Sequence, residues 1–207
     1  MKLTRSSKIT LLFLAFWILL VGSGMRMILA YDNSPGISAS APQMWPTSTL
    51  ISRQAGVATL VMMIHPHCPC SRASIGELAL LMAEIPGPVN ANVLFIQPQQ
   101  FPEDWVKSDL WNTAASIPNV KVDIDVDASE ARRFGSQTSG QVMLYDINGE
   151  LLFNGGITAS RGHAGDNDGR RAIMSLLTDK NGPAETPVFG CPLFEQTSSD
   201  SCHASNN

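Results

Sequence analysis

The middle of the chain alternates short continuous apolar runs with segments of helical periodicity, and this alternation limits the fold more than any other feature. Runs of about four to eight apolar or β-branched residues between breakers are typical of buried strands. The candidate strands are "GVATLVMMI" (56–64), "NVLFIQ" (92–97), "NVKVDIDV" (119–126) and the two runs of "QVMLYDINGELLFNGGI" (141–157). Asn148-Gly149 predicts that the last two runs form a hairpin.

The segments between these strands have helical character. Apolar residues recur at helical spacing within 71–85, and acidic residues stand in the first turn of 102–116. Two shorter helices are predicted at 128–134 and 168–177. The predicted order is β-α-β-α-β-α-β-β-α, which indicates an α/β fold with helices on both faces of a mixed sheet, parallel at its centre and with an antiparallel hairpin at one edge.

The N-terminus has the features of a membrane anchor. Lys2, Arg5 and Lys8 precede an uncharged apolar run, residues 9–25. A membrane-spanning helix needs about 20 apolar residues and a cleaved secretory signal only about 7 to 15. A small-x-small cleavage site is hard to place because Ile28 stands where a small residue is needed. We therefore expect an uncleaved signal anchor over residues 1–31.

The charge distribution predicts the orientation of this anchor. Basic residues before the apolar run hold the N-terminus in the cytoplasm. We expect a single-pass protein of the bacterial inner membrane, with its globular domain on the periplasmic side. None of the 18 acidic residues precedes residue 32, so the rest of the chain is net acidic and nucleic acid is not an expected partner.

Composition also predicts how the chain divides. Residues 32–50 are rich in Ser, Pro and Ala and are expected to form a linker. The globular domain should cover 51–195, and its apolar island "VFGCPLF" (188–194) should pack back onto the domain. A disordered tail is expected at 196–207.

The stretch "HPHCPCS" (65–71) ends the first predicted strand and opens a helix. If Cys68 is the N-cap, Pro69 takes the first helical position, where its missing N–H is not needed. A thiol at a helix N-terminus has a lowered pKa, which favours the reactive thiolate. We expect Cys68 to be the nucleophile and Cys70 its resolving partner, with His67 supplying positive charge or exchanging a proton.

The combination "CPCSRAS", "SGQVMLYD", "FNGGITASRGHAG" and "VFGCPL" resembles thioredoxin-like proteins, in particular the RedB-type branch of membrane-tethered bacterial thiol-disulfide proteins. The resemblance covers about residues 56–195. It implies a thioredoxin-like mixed sheet with flanking helices. It also implies that the loop carrying Arg161 and His163 lies near the cysteines, where either side chain could stabilise the Cys68 thiolate.

Two positions depart from the pattern of that family. Ser71 stands where the second cysteine of C-x-x-C is usual, so Cys70 is displaced by one residue. Gly140 stands where the family has a cis-proline beside the cysteines. A Cys68–Cys70 disulfide would close a very small ring, and strained disulfides tend to be more oxidising.

The predicted function is that of a thiol-disulfide oxidoreductase or isomerase that needs no cofactor. Its substrate would be a disulfide or thiol on a protein or a small molecule. One alternative is a metal carrier, because His65, His67, Cys68 and Cys70 offer a soft ligand set for Cu(I) or Zn. Another is a redox-inactive interaction module. Cys191 is expected to be a packed cysteine or a partner of Cys202.

Overall fold

The computed structural model describes residues 5–37, 40–179 and 181–194. The chain divides into two compact units, Met1–Ser34 and Pro35–Asn207. The predicted tail at 196–207, with Cys202, lies outside the described residues.

The first unit contains a single helix, α1 (Arg5–Asp32). Its 28 residues correspond to about 42 Å at the usual rise per residue, which exceeds the roughly 30 Å of a bilayer core. None of its described side chains is buried, and its apolar window has a mean hydropathy of 2.0. By length and composition, α1 could cross a membrane.

The second unit is built on a five-stranded sheet in the order β3-β2-β1-β4-β5. The strands are β1 (Ala58–Ile64), β2 (Val89–Gln97), β3 (Val120–Val126), β4 (Gln141–Tyr145) and β5 (Leu151–Gly156). The first three are parallel, β4 runs antiparallel to β1, and β5 runs antiparallel to β4. This confirms the predicted mixed sheet with a hairpin at one edge.

Five helices flank the sheet: α2 (Pro69–Glu84), α3 (Glu103–Val106), α4 (Asp109–Ala115), α5 (Ser129–Arg133) and α6 (Asp168–Thr178). The helix predicted at 102–116 is two helices. Lys107 has a non-helical backbone, and Ser108 begins α4 from an extended conformation. Serine favours such a position because its short polar side chain suits helix starts better than helix interiors.

Successive side chains of β1 point to opposite faces of the sheet and pack into two separate cores. Leu60 and Met62 join one cluster with Ile75 of α2, whereas Val61 and Met63 join a second cluster on the opposite face. All seven residues of β1 are buried. A central strand that is covered on both faces has to be continuously apolar, which explains the unbroken run in the sequence.

The segment predicted as a linker packs against the domain from Pro35 onward. The ring of Trp45 lies 5.2 Å from the rings of both Phe134 and Tyr145. The Tyr145 hydroxyl donates to the carbonyl of Pro42 at 3.1 Å. Trp45 is a partly buried anchor of this segment, and a single anchor leaves no periodic pattern in the sequence.

Candidate active site

Cys68 and Pro69 take the positions that the sequence predicts. Cys68 follows β1 as the N-cap of α2, with an extended backbone (φ −85°, ψ 117°), and Pro69 opens the helix. Cys68 is only 2 % exposed. The thiol therefore lies at the positive end of a 16-residue helix and is almost completely covered.

Three cysteine sulfurs meet at this point. The Sγ atoms of Cys68, Cys70 and Cys191 all lie within 4.8 Å of one another. The Cys68 and Cys191 sulfurs are hydrogen-bonded at 2.8 Å. None of these three cysteines forms a disulfide in the part of the chain described. The sequence did not identify Cys191 as a member of the site, although its apolar island does pack onto the domain as predicted, with Val188 and Leu193 buried.

Cys191 is carried by a C-terminal strap, residues 184–194, which crosses the end of the sheet. The Ser139 N–H donates to the Cys191 carbonyl at 2.8 Å, and the Leu193 N–H donates to the carbonyl of Gln137 at 2.9 Å. A Cβ atom on Gly190 would lie 1.9 Å from the carbonyl oxygen of Ser139. Glycine is needed there because any side chain would push the strap, and Cys191 with it, away from the site.

Cys191 and Ser71 lower the pKa of the Cys68 thiol. Burial raises the pKa of this thiol, but hydrogen bonds from Cys191 and Ser71, each through its side chain and its backbone N–H, lower it more. The pKa of Cys68 therefore lies below its ordinary value. Ser71, in the position of the usual second cysteine, supplies a hydroxyl where the family has a thiol.

The other two thiols, Cys70 and Cys191, have raised pKa values. Burial raises the pKa of Cys70, and the neighbouring Cys68 raises it further, while Arg161 lowers it. Burial and the hydrogen bond to Cys68 raise the pKa of Cys191 to about 12. Of the three thiols in the reduced site, Cys68 is therefore the one that loses its proton first as the pH rises.

Ser139 joins the parts of the site and was not singled out in the sequence. Its hydroxyl accepts the His65 backbone N–H at 2.8 Å and shares a hydrogen bond with the Ser71 hydroxyl at 2.7 Å. The next residue, Gly140, has φ +88° and is so close to α2 that a Cβ would lie 2.7 Å from the Ser74 Oγ. The described residues contain no cis peptide bond. At the position where the resembled pattern has a cis-proline, this chain has a glycine, which lets the loop contact α2.

The two histidines lie beside the cysteines and contact a different residue, Trp105. The His67 Nε2 is 2.9 Å from the Trp105 carbonyl, and its backbone N–H donates to the His65 Nδ1. Burial lowers the pKa of His65, and the nearby His67 lowers it further. Neither ring is among the groups that shift the Cys68 pKa.

Arg161 reaches the cysteines, as the resemblance implied, but it faces Cys70 and the strap. Its guanidinium donates to the Gly190 carbonyl at 2.5 Å and lowers the pKa of Cys70. His163 is exposed, and its Nδ1 lies 2.9 Å from the Arg161 carbonyl.

A buried carboxylate holds the loop that carries Arg161. Glu77 of α2 is fully buried, accepts the Gly165 N–H at 2.6 Å and pairs with Arg170 at 2.9 Å. Its second oxygen also accepts from Asn167, the N-cap of α6. Through these contacts Glu77 connects α2 to the loop that carries Arg161 and to α6.

An open cleft of about 790 Å³ borders the strap. The strap residues Pro192, Leu193 and Phe194 line one side, with His65 and Arg132 among the other lining residues. The strap contributes lining residues from one position after Cys191 onward, and none of the three cysteines is itself a lining residue.

The three sulfurs are the group that could hold a metal ion among the described residues. The sequence predicted a metal site of two histidines and two cysteines, His65, His67, Cys68 and Cys70. In the structure the two histidines are outside the group of close ligand atoms, and Cys191 is in it.

No protein-family model matches the sequence, and no curated protein matches it. Solved structures with a similar fold include an uncharacterized conserved protein from Geobacillus kaustophilus, with 19 % identity over 81 % of this chain and 95 % of that chain and a TM-score of 0.56. A hypothetical protein from Sinorhizobium meliloti 1021 has 21 % identity over 77 % of this chain and 93 % of that one, with a TM-score of 0.57. A putative thioredoxin from Neisseria meningitidis has 17 % identity over 69 % of this chain and 88 % of that chain, with a TM-score of 0.45.

The sheet order, the antiparallel hairpin and the helix that begins at the first cysteine make this fold thioredoxin-like. The fold predicted from the sequence is confirmed.

Proposed function

We propose that the chain is a membrane-anchored thiol-disulfide oxidoreductase or isomerase with Cys68 as its reactive thiolate. The observation that carries this proposal is the position of the Cys68 sulfur, at the N-terminus of α2 and 2.8 Å from the Cys191 sulfur. A thiolate held in this way at a helix N-terminus is both a nucleophile and a good leaving group in disulfide exchange.

The chemistry is centred on a disulfide between Cys68 and a second thiol of the cluster. A substrate thiolate attacks the second sulfur, a mixed disulfide forms there, and Cys68 leaves as a thiolate. In the reverse direction, the Cys68 thiolate attacks the mixed disulfide and releases the substrate thiol. Because Cys68 is only 2 % exposed, this scheme has the substrate bind to the second thiol.

The substrate would be a thiol or disulfide on a protein or a small molecule. The cleft of about 790 Å³ gives such a group a place to bind beside the strap that carries Cys191. Helix α1 would anchor the domain in the bacterial inner membrane. The basic residues before its apolar run favour a periplasmic domain, where disulfides persist.

Binding of a soft metal ion is a second candidate function, favoured by the three sulfurs within 4.8 Å. Thiolates select Cu(I) or Zn over harder ions. Stoichiometric copper in protein purified under reducing conditions, with no exchange activity, would support this function instead.

A pH titration of the full-length chain in detergent tests the main proposal. After reduction and metal removal, thiolate absorbance is followed with pH, and alkylation at each cysteine is mapped by peptide mass spectrometry. We expect a midpoint below the ordinary thiol range that is lost in Cys68→Ser and kept in Cys202→Ser. If Cys68 titrates no earlier than Cys202, the proposal fails.

A further inference from the structure

The cluster contains three thiols, and a disulfide needs two. Resting on the function proposed above, we infer that Cys191 is the second thiol and the sulfur that carries the substrate, while Cys68 remains its buried internal partner. The choice is between Cys191 and Cys70, and distance, local backbone and the position of the cleft favour Cys191.

Distance is the first argument. The Cys68 and Cys191 sulfurs are 2.8 Å apart, and a disulfide bond has a length of about 2.05 Å. Less than an ångström of movement would therefore join them. Because the strap is held at Ser139 and Gln137 on either side, Cys191 is already in position.

The local backbone argues against Cys70. Cys68 is the N-cap of α2 and Cys70 lies in its first turn, so a disulfide between them, with only Pro69 in between, would close a very small and strained ring. The Ser71 N–H donates to the Cys68 carbonyl at 3.0 Å and fixes that turn. A bond between Cys68 and Cys70 would have to distort it, whereas a bond to Cys191 would leave α2 intact.

Exposure and the position of the cleft decide which sulfur the substrate reaches. Cys191 and Cys70 are both partly exposed whereas Cys68 is 2 % exposed, and the strap residues that follow Cys191, Pro192 to Phe194, line the cleft. A thiol bound in the cleft would therefore meet the Cys191 sulfur first. Attack there expels Cys68, whose sulfur receives hydrogen bonds from Ser71.

The steps balance as a two-electron exchange. A substrate thiolate attacks Cys191, forming a substrate–Cys191 disulfide and breaking the Cys68–Cys191 bond, and Cys68 keeps the electron pair. A second thiolate of the same substrate attacks the substrate's own sulfur, which releases Cys191 and leaves the substrate oxidised. Cys191 takes up the proton that the second substrate thiol has lost. A disulfide-bearing oxidant restores the Cys68–Cys191 bond through the reverse steps. The substrate class is thus a dithiol, and the protein acts as its oxidant.

The experiment uses the full-length chain in detergent with oxidised and reduced glutathione as probes. The protein is first oxidised, and its disulfides are mapped by peptide mass spectrometry. Limiting reduced glutathione is then added, the reaction is quenched with acid and an alkylating reagent, and the position of each label is read.

We expect a Cys68–Cys191 disulfide, then glutathione on Cys191 and the alkyl label on Cys68. The same result is expected for Cys70→Ser and for Cys202→Ser. In Cys191→Ser the Cys68–Cys191 disulfide cannot form, so limiting reduced glutathione should leave no adduct on the remaining cysteines of the cluster.

A Cys68–Cys70 disulfide, or glutathione on Cys68, would overturn the inference while leaving exchange at this site intact. If no disulfide involving Cys68 forms at all, the proposed function itself fails. Mapping the unmutated chain keeps the test valid even if Cys191→Ser does not fold.

Discussion

The sulfurs of Cys68 and Cys191 lie 2.8 Å apart although the two residues are 123 positions apart in the chain. Cys68 is placed by the start of a helix and Cys191 by a strap that returns across the end of the sheet. Their meeting makes the properties of each thiol depend on the other, and this dependence leads to the following predictions.

Ser71→Ala should raise the pKa of Cys68, because it removes the side-chain donor and leaves the backbone N–H in place. Hydrogen bonds to a charged group are stronger than those between neutral groups, so the midpoint should move up toward the ordinary thiol value. Titration of thiolate absorbance measures it. Ser175→Ala on α6 is the matched control and should leave the midpoint unchanged; an unshifted midpoint in Ser71→Ala would show that the hydroxyl does not stabilise the thiolate.

The stability of the reduced protein should depend on pH through Cys68. Because the pKa of Cys68 is lowered by folding, its ionisation stabilises the fold fully above the unfolded value of about 8.5. This contribution should disappear as the pH falls through the lowered folded pKa.

Urea unfolding under reducing conditions, at pH values below about 8.5, measures this dependence. We expect the free energy of unfolding of the unmutated chain, relative to Cys68→Ser, to decrease as the medium is acidified. A difference that stays constant with pH would contradict a preformed thiolate.

Glu77→Gln should destabilise the domain, because it leaves Arg170 without its buried partner. Removing one member of a buried ion pair lowers the free energy of unfolding by roughly 3 to 5 kcal/mol. Because the Arg170 side chain retains 15 % exposure, we expect a decrease near the lower end of this range. Glu84→Gln is the matched control: Glu84 lies 4.0 Å from the same arginine but is 52 % exposed, and its loss should cost less than about 1 kcal/mol. Thermal unfolding distinguishes them, and equal losses would refute the structural importance of Glu77.

Gly140→Ala should be more harmful than Gly162→Ala. Both glycines have positive φ, +88° and +70°, but a Cβ at Gly140 meets Ser74 whereas Gly162 has open space around it. Backbone strain of about 1 to 3 kcal/mol is common to both substitutions. The extra loss of stability in Gly140→Ala, read by urea unfolding, measures the contact with α2. Equal losses would mean that the loop accommodates the methyl group without cost.

Much of the fold could be predicted from local patterns. Apolar run length predicts the order of the strands along the chain, and turn residues predict the hairpin. The placement of Pro69 predicts that Cys68 stands at the start of α2. The break between α3 and α4 and the packing of Trp45 could not be predicted, because each depends on a single backbone angle or a single anchor rather than on a repeating pattern.

The sequence by itself determined the elements: which segments become strands or helices, which helix could span a membrane, and which thiol begins a helix. Only the tertiary structure decided the composition of the site, bringing Cys191 to Cys68 and Ser139 to Ser71. The physical reason is that a helix or strand is specified by neighbouring residues, whereas a contact across 123 positions exists only after both cores have packed and the strap has returned over the sheet.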